Sequence, residues 1–208
     1  MPAARLVIVG AGGFAREVAE IARLLRPDSR LGFVDDAPQD DATRLMTGKG
    51  AHHLGAARSW QPEDSDTGVI AIGDPGIRAA LAALLGERGA VFDVLVHPDA
   101  TIARSATLHP GVIVAPGARV SADVVLGHHV HIDQNATVGH DTIVGAYSRL
   151  NPAACLSGAV VVGEGAYIGA AAVVLQGLTV GAGCIIGAGA VAVSDVEPGT
   201  TVKGVPAR

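Results

Sequence analysis

Aromatic side chains are nearly missing from this chain: 3 Phe, 2 Tyr and 1 Trp among 208 residues, although 49% of the sequence is hydrophobic. Its core has to be packed from Ala, Val, Ile and Leu, which excludes the usual aromatic-rich globular interior. Cysteine is scarce too. Cys155 and Cys184 are too few for a disulfide framework and lack the paired spacing of a zinc ligand set, so both read as small core fillers. Clustered positive charge is also missing. Fifteen Lys and Arg stand against 20 Asp and Glu, a formal charge of -5, and they form no basic stripe of the kind that neutralises nucleic acid or an anionic membrane surface. Neither partner is expected. The Met-Pro-Ala-Ala-Arg opening runs into a short apolar strand without the longer apolar segment of a secretory signal, which points to the cytoplasm. Residues 170–193 have the length of a membrane span. Their glycines at 177, 181, 183, 187 and 189 would each cost a helix about 1 kcal/mol, so strands and turns are the better reading.

What is present falls into two textures. From Leu6 to His97, strand-like and helix-like runs alternate: a strand at 6–9, a glycine turn at 10–13, an amphipathic helix at 16–25 and a strand at 31–34. A second strand, helix, strand set follows at 69–72, 77–85 and 91–96, with a polar, irregular stretch at 37–67 between. Residues 1–97 therefore read as a small Rossmann-like βαβ domain, with room for one mononucleotide-binding half of a doubly wound fold.

Residues 98–208 follow a period of six. Aliphatic residues occupy every sixth position from Ile102 through Val138, Val144 and Leu150 to Ile186, fifteen in succession without a slip. Mostly small residues stand two positions earlier, and Gly, Asn, Asp or Ser mostly one position later, where turns form. A hexad with one inward aliphatic and one turn makes one side of a triangular prism, three hexads close a coil of eighteen, and fifteen make five coils of a parallel β-helix.

A column filled with Val and Ile has no internal pocket, so chemistry must sit on its corners. The segment 127–151 holds four of the eight histidines. His140 follows Gly139 at a predicted corner, with Asp141 beside it. An imidazole oriented by a carboxylate keeps one tautomer and suits proton abstraction. Residues eighteen apart stack, which places Gly158 beneath His140, where a bare backbone admits a thioester and offers an N–H to its oxygen. Asp123 stacks over Asp141, so one of these acids is expected to take a proton or turn to a partner chain. His128, His129 and His131 suggest zinc, but they crowd one corner without an acidic companion, and no metal is expected. In the first half, Gly10-Ala11-Gly12-Gly13-Phe14 between strand and helix can cradle a phosphate, and Asp35 and Asp36 at the end of the second strand can accept from ribose or base groups.

Taken together, Val-Gly-Ala-Gly-Gly with Arg16-Glu17-Val18, Gly32-Phe33-Val34-Asp35-Asp36, Ala71-Ile72-Gly73-Asp74 with Arg78, His97-Pro98, Val138-Gly139-His140-Asp141 and Lys203-Gly204-Val205-Pro206 resemble the NeuD/PglD-type sugar acetyltransferases over essentially the whole chain. The resemblance implies a left-handed β-helix, against the usual right-handed crossover. It implies metal-free acetyl transfer from acetyl-CoA to the amine of a nucleotide-linked sugar, in a homotrimer with sites between subunits. His140 would be the general base, Asp141 its orienting acid and Gly158 a donor to the thioester oxygen. Gly10, Gly12, Gly13, Phe14, Asp35 and Asp36 would hold the nucleotide. Phe14, Asp133 and Arg149 depart from residues common in relatives; Asp133 would lie at the substrate, and Arg149 near acetyl-CoA, where it suits a phosphate. Neither cysteine has a base at helpful spacing, so direct transfer in a ternary complex is expected. A sugar O-acetyltransferase, a zinc lyase of the carbonic-anhydrase kind and a non-catalytic scaffold are the alternatives.

Overall fold

The computed structural model describes residues 4–208, which divide into two compact units, one closing at Leu95 and the next opening at Val96. In the first, four parallel strands lie in the order β3-β2-β1-β4: β1 (Arg5–Val9), β2 (Arg30–Val34), β3 (Ala51–His53) and β4 (Asp66–Ile70). Helix α1 (Gly13–Leu25) buries Ala15, Val18, Ala19, Ile21 and Ala22, a stripe at helical spacing. Helix α3 (Pro75–Gly86) starts where Asp74 Oδ1 caps the Ile77 N–H at 2.8 Å and Pro75 stands at the first helical position.

Two expectations need correction. The stretch 37–67 is not irregular throughout: it contains α2 (Asp40–Gly48) and β3, with Asp40 and Asp41 in the helix's first turn and Met46 as its buried anchor. The strand expected over 91–96 shrinks to Leu95–Val96, and Phe92 makes only a single bridge to Gly68.

Arg5 lies directly opposite Asp66 in the β1–β4 register and forks onto its carboxylate, Nε to Oδ1 at 2.8 Å and Nη2 to Oδ2 at 2.7 Å, while the Glu63 N–H donates to Oδ2 at 3.0 Å. Burial pushes the Asp66 carboxyl up, but the hydrogen bonds from Arg5 and Glu63, with the Arg5 charge, outweigh it and hold it below the ordinary value. A depressed folded value stabilises the protein above the unfolded value of about 3.9, and that contribution is lost as pH falls through the folded one. Asp66→Asn is therefore expected to flatten the acid limb of thermal stability below about pH 4. Parallel limbs for the two proteins would show that this carboxylate is not the group being titrated.

The second unit is a three-sided winding of two-residue strands in sheets of five, seven and six strands, all parallel and stacked eighteen residues apart over the regular coils. All fifteen sixth-position aliphatics from Ile102 to Ile186 are the second residue of a strand, and those from Val114 on are buried. The winding continues past them through Val191–Ala192 and Thr201–Val202, where the interval lengthens and breaks the beat of six. Within the small-residue column Thr142 and Ser148 are fully buried hydroxyls. Ser148 Oγ donates to Gly163 O at 2.8 Å and accepts the Ala166 N–H at 3.1 Å, which satisfies both halves of the group across adjacent coils.

Candidate functional site

His140 occupies the corner Gly139–Thr142 between the six-stranded and five-stranded faces. Asp141, its successor, takes a left-handed backbone at φ 59°, tolerable for Asp, as do Asp123 above it and Ala159 below. The Asp141 carboxylate lies against its neighbour, and His140 Nδ1–H donates to Oδ2 at 2.6 Å. Because a carboxylate only accepts, the proton sits on Nδ1, which in the neutral ring leaves the lone pair on Nε2. Both side chains are outside the core, 59% and 60% exposed. Of the two stacked acids, Asp141 turns its carboxylate to His140, while the backbone N–H of Asp123 donates to Ser105 Oγ at 3.0 Å.

Gly158 lies under the ring. A Cβ at this position would come within 2.6 Å of His140 Nε2 and 2.7 Å of Cε1, so any larger residue would push the imidazole aside. Its neighbours Ser157 and Ala159 donate to Val174 O and His140 O, while among the described residues the Gly158 N–H has no backbone acceptor. Thr142 ties the two corners together, its Oγ1 donating to Ser157 O at 3.2 Å and accepting from Val160 N at 3.3 Å. The sequence reading missed Thr142; its only signal was a hydroxyl in a column of small apolar residues.

Asp133 and Arg149 are brought together elsewhere on the column. Arg149 Nε and Nη2 both donate to Asp133 Oδ2, at 2.9 and 2.7 Å, with the acid side chain 1% and the guanidinium side chain 15% exposed. The residues expected to meet substrate and acetyl-CoA separately form one buried ion pair. The three clustered histidines do not converge: the His128 ring lies against His109 at 4.8 Å, and His129 stacks on Tyr147 at 5.5 Å. Among the described residues no three His, Cys, Asp or Glu side chains are placed to share a metal ion.

In the first unit the glycine turn sits at the carboxyl end of β1. Gly10 is at φ 115° and its N–H donates to Val34 O at 2.8 Å, a conformation closed to other residues without strain. Gly12 caps α1 without a side chain, the first turn carries no acid, and Gly12 and Gly13 are exposed with Phe14 half-buried. Asp35 shapes this turn: Oδ2 accepts the Ala11 N–H at 2.8 Å and Oδ1 the Ala37 N–H at 3.0 Å. Asp36 is bound instead by Arg58, through N and Nε at 2.8 and 2.9 Å. The sequence reading gives Arg16 a place in the motif but no role in this site; its Nη2 lies 3.7 Å from where a Gly13 Cβ would stand, adding a cation beside the open amides.

Residues 5–85 match the model of the PglD N-terminal domain, and residues 159–191 that of the bacterial transferase hexapeptide with six repeats. No curated protein sequence matches the chain. Among solved structures, the acetyltransferase domain of PglB from Neisseria gonorrhoeae is 34% identical with a TM-score of 0.89, covering 98% of each chain, and it has also been determined with acetyl coenzyme A. A histidine-to-asparagine variant of perosamine N-acetyltransferase from Caulobacter crescentus, in complex with CoA and GDP-perosamine, is 33% identical with a TM-score of 0.89, covering 98% of this chain and 95% of that one. WeeI from Acinetobacter baumannii is 27% identical with a TM-score of 0.86 over 98% of both chains.

Proposed function

The chain belongs to the NeuD/PglD-type sugar acetyltransferases, with their left-handed β-helix, and from that membership we propose that it transfers acetyl from acetyl-CoA to the amino group of a nucleotide-linked amino sugar. The observation that carries this reading is the His140 ring, tautomerically set by Asp141 and lying over the bare backbone of Gly158. The acceptor amine attacks the acetyl carbonyl as His140 Nε2 takes its proton. A C–N bond forms, the C–S bond breaks, and the proton passes from the imidazolium to the departing CoA thiolate. The Gly158 N–H donates to the oxygen that gains charge in between. No acyl-enzyme is involved. Acetyl-CoA and CoA with GDP-perosamine, the molecules held by two relatives, are the chemistry this arrangement serves.

The first unit supplies the nucleotide end. The amides of Gly12, Gly13 and Phe14 and the positive end of α1 receive a phosphate, helped by Arg16. Asp35 shapes the Gly10 turn, and Asp36 accepts from ribose or base once released from Arg58. A cytoplasmic setting goes with acetyl-CoA as donor. Beside the His140 corner, Val125, Ile143 and Val161 stack in register on the outer five-stranded face, Ile143 and Val161 being 48% and 43% exposed. This apolar stripe is the face a second copy covers in a homotrimer.

The test is a thermal-shift panel of acetyl-CoA with UDP-, GDP-, CMP- and dTDP-linked amino sugars, followed by thiol-release assays on each binder and its hydroxyl analogue, and light scattering on the same sample. Acetyl-CoA should raise the melting temperature, one nucleotide sugar should raise it further and be acetylated at nitrogen, and the particle should contain three chains. An unchanged melting temperature with acetyl-CoA, or transfer to the hydroxyl analogue alone, rejects the reading.

A further inference from the structure

We propose that Thr142 is a positioning residue for acetyl transfer: its buried hydroxyl fixes the Ser157–Gly158 peptide plane and so aims the N–H that meets the charge on the thioester oxygen. The proposal rests on the reading of Gly158 as that donor, and it adds what holds the donor still.

A peptide group is planar and, between Ser157 and Gly158, trans, so its C=O and its N–H point in opposite directions. Thr142 Oγ1 donates to Ser157 O at 3.2 Å, and the N–H on the far side of that plane belongs to Gly158. Thr142 is fully buried, so holding the carbonyl toward it turns the N–H away from the column. The exposed His140 ring lies over Gly158 on that outer side. The hydroxyl also strengthens the donor, because a carbonyl that accepts a hydrogen bond polarises the N–H of its own peptide. The neighbouring groups are tied as well. The Ser157 N–H donates to Val174 O at 3.0 Å, the Ala159 N–H to His140 O at 2.7 Å and the Gly177 N–H to Gly158 O at 3.0 Å, while the Val160 N–H returns to Thr142 Oγ1 at 3.3 Å. Of the amides from Ser157 to Val160, that of Gly158 alone has no acceptor among the described residues. An open amide in a buried residue calls for a partner, and the thioester oxygen is one.

The winding does not itself require a hydroxyl here. The residues at this place in the coils before and after are Val124 and Val160, both fully buried, so an aliphatic side chain of nearly the same shape fits the corner. Thr142 is the polar member of that stack, and it reaches from the corner that carries His140 to the corner that carries Gly158. Ser148 offers a comparison within the same molecule. It makes the same brace six residues later, Oγ donating to Gly163 O at 2.8 Å and accepting the Ala166 N–H at 3.1 Å. The peptide it holds, between Gly163 and Glu164, lies on the next corner, between Val161–Val162 and Tyr167–Ile168. A hydroxyl that serves only the fold matters equally at 142 and 148. One that serves the reaction matters at 142 alone.

Steady-state kinetics and melting curves of Thr142→Val, Thr142→Ser and Ser148→Ala test this, with acetyl-CoA and whichever of the UDP-, GDP-, CMP- and dTDP-linked amino sugars the wild-type protein acetylates. Thr142→Val keeps the shape and loses the hydroxyl; it should lower kcat about 10-fold, part of the roughly 10²–10³-fold that a deleted donor costs, with KM for acetyl-CoA within about two-fold of wild type. Thr142→Ser keeps the hydroxyl and should restore turnover to within about three-fold of wild type. Ser148→Ala loses an equal brace and should lower the melting temperature as Thr142→Val does, yet leave kcat within about two-fold. If the valine variant does not fold, Thr142→Cys, whose thiol donates only weakly, takes its place with the same expectation. Wild-type turnover without the hydroxyl, a serine variant as slow as the valine one, an equal loss of kcat in Ser148→Ala, or a loss carried by KM overturns the assignment while leaving acetyl transfer standing. If the wild-type protein acetylates none of the four sugars, the acetyltransferase reading fails and this assignment falls with it.

Discussion

Alanine in place of His140 should lower acetyl-transfer turnover about 10²–10⁴-fold, the usual worth of a positioned proton acceptor. The ring is 59% exposed and fills no core space, so thermal unfolding should be nearly unchanged. The Michaelis constant for acetyl-CoA should move little, because Nε2 acts on the proton that leaves the amine rather than on the part of the donor that gives affinity. Turnover within a few-fold of wild type would reject His140 as the base. A collapsed fold would mean that the imidazole holds the corner together rather than serving chemistry, which the exposed geometry argues against.

Removing the Asp133 carboxylate should cost stability rather than chemistry. Arg149 directs two donors at one oxygen of this acid, and Asp133→Ala leaves a guanidinium, 15% exposed, without its counter-charge. Stranding one partner of a buried ion pair costs about 3–5 kcal/mol, a large share of the roughly 5–15 kcal/mol that holds a typical domain. Adding Arg149→Met to Asp133→Ala should recover much of the loss, because the stranded charge then goes too. Denaturant unfolding of the two single variants and the double gives the coupling directly. A loss under 1 kcal/mol for Asp133→Ala, with a raised Michaelis constant for either substrate, would instead return Asp133 to the role of a direct substrate contact.

The two residues of that pair show where sequence reading stopped. Stacking by eighteen correctly set Gly158 under His140, because both stand at the same place in consecutive coils. Arg149 and Asp133 are sixteen apart, so an outward strand residue reaches diagonally to the corner of the neighbouring coil, and like-for-like stacking does not anticipate that contact. Asp35 is similar. As an acid at the end of a strand it reads as a ribose acceptor, yet its carboxylate is used to hold the Ala11 N–H of the adjacent strand's turn. Helix α2 escaped for another reason: only Met46 is buried, so it has almost no apolar period, although its acidic first turn was a usable signal.

The sequence by itself determined the winding of the second unit and the βαβ order of the first. Both depend on which side chains must leave water at a fixed interval, and such a period is written locally in the order of residues. It also placed the imidazole at a corner, since a polar residue after a turn glycine cannot point into a column of aliphatics. Only the tertiary structure decided which polar groups satisfy one another. Arg5 with Asp66, Asp35 with Ala11, Arg149 with Asp133 and the braces of Thr142 and Ser148 join residues on different strands or coils. A buried donor or acceptor takes whatever partner the fold brings within about 3 Å, and that distance is set by packing in three dimensions.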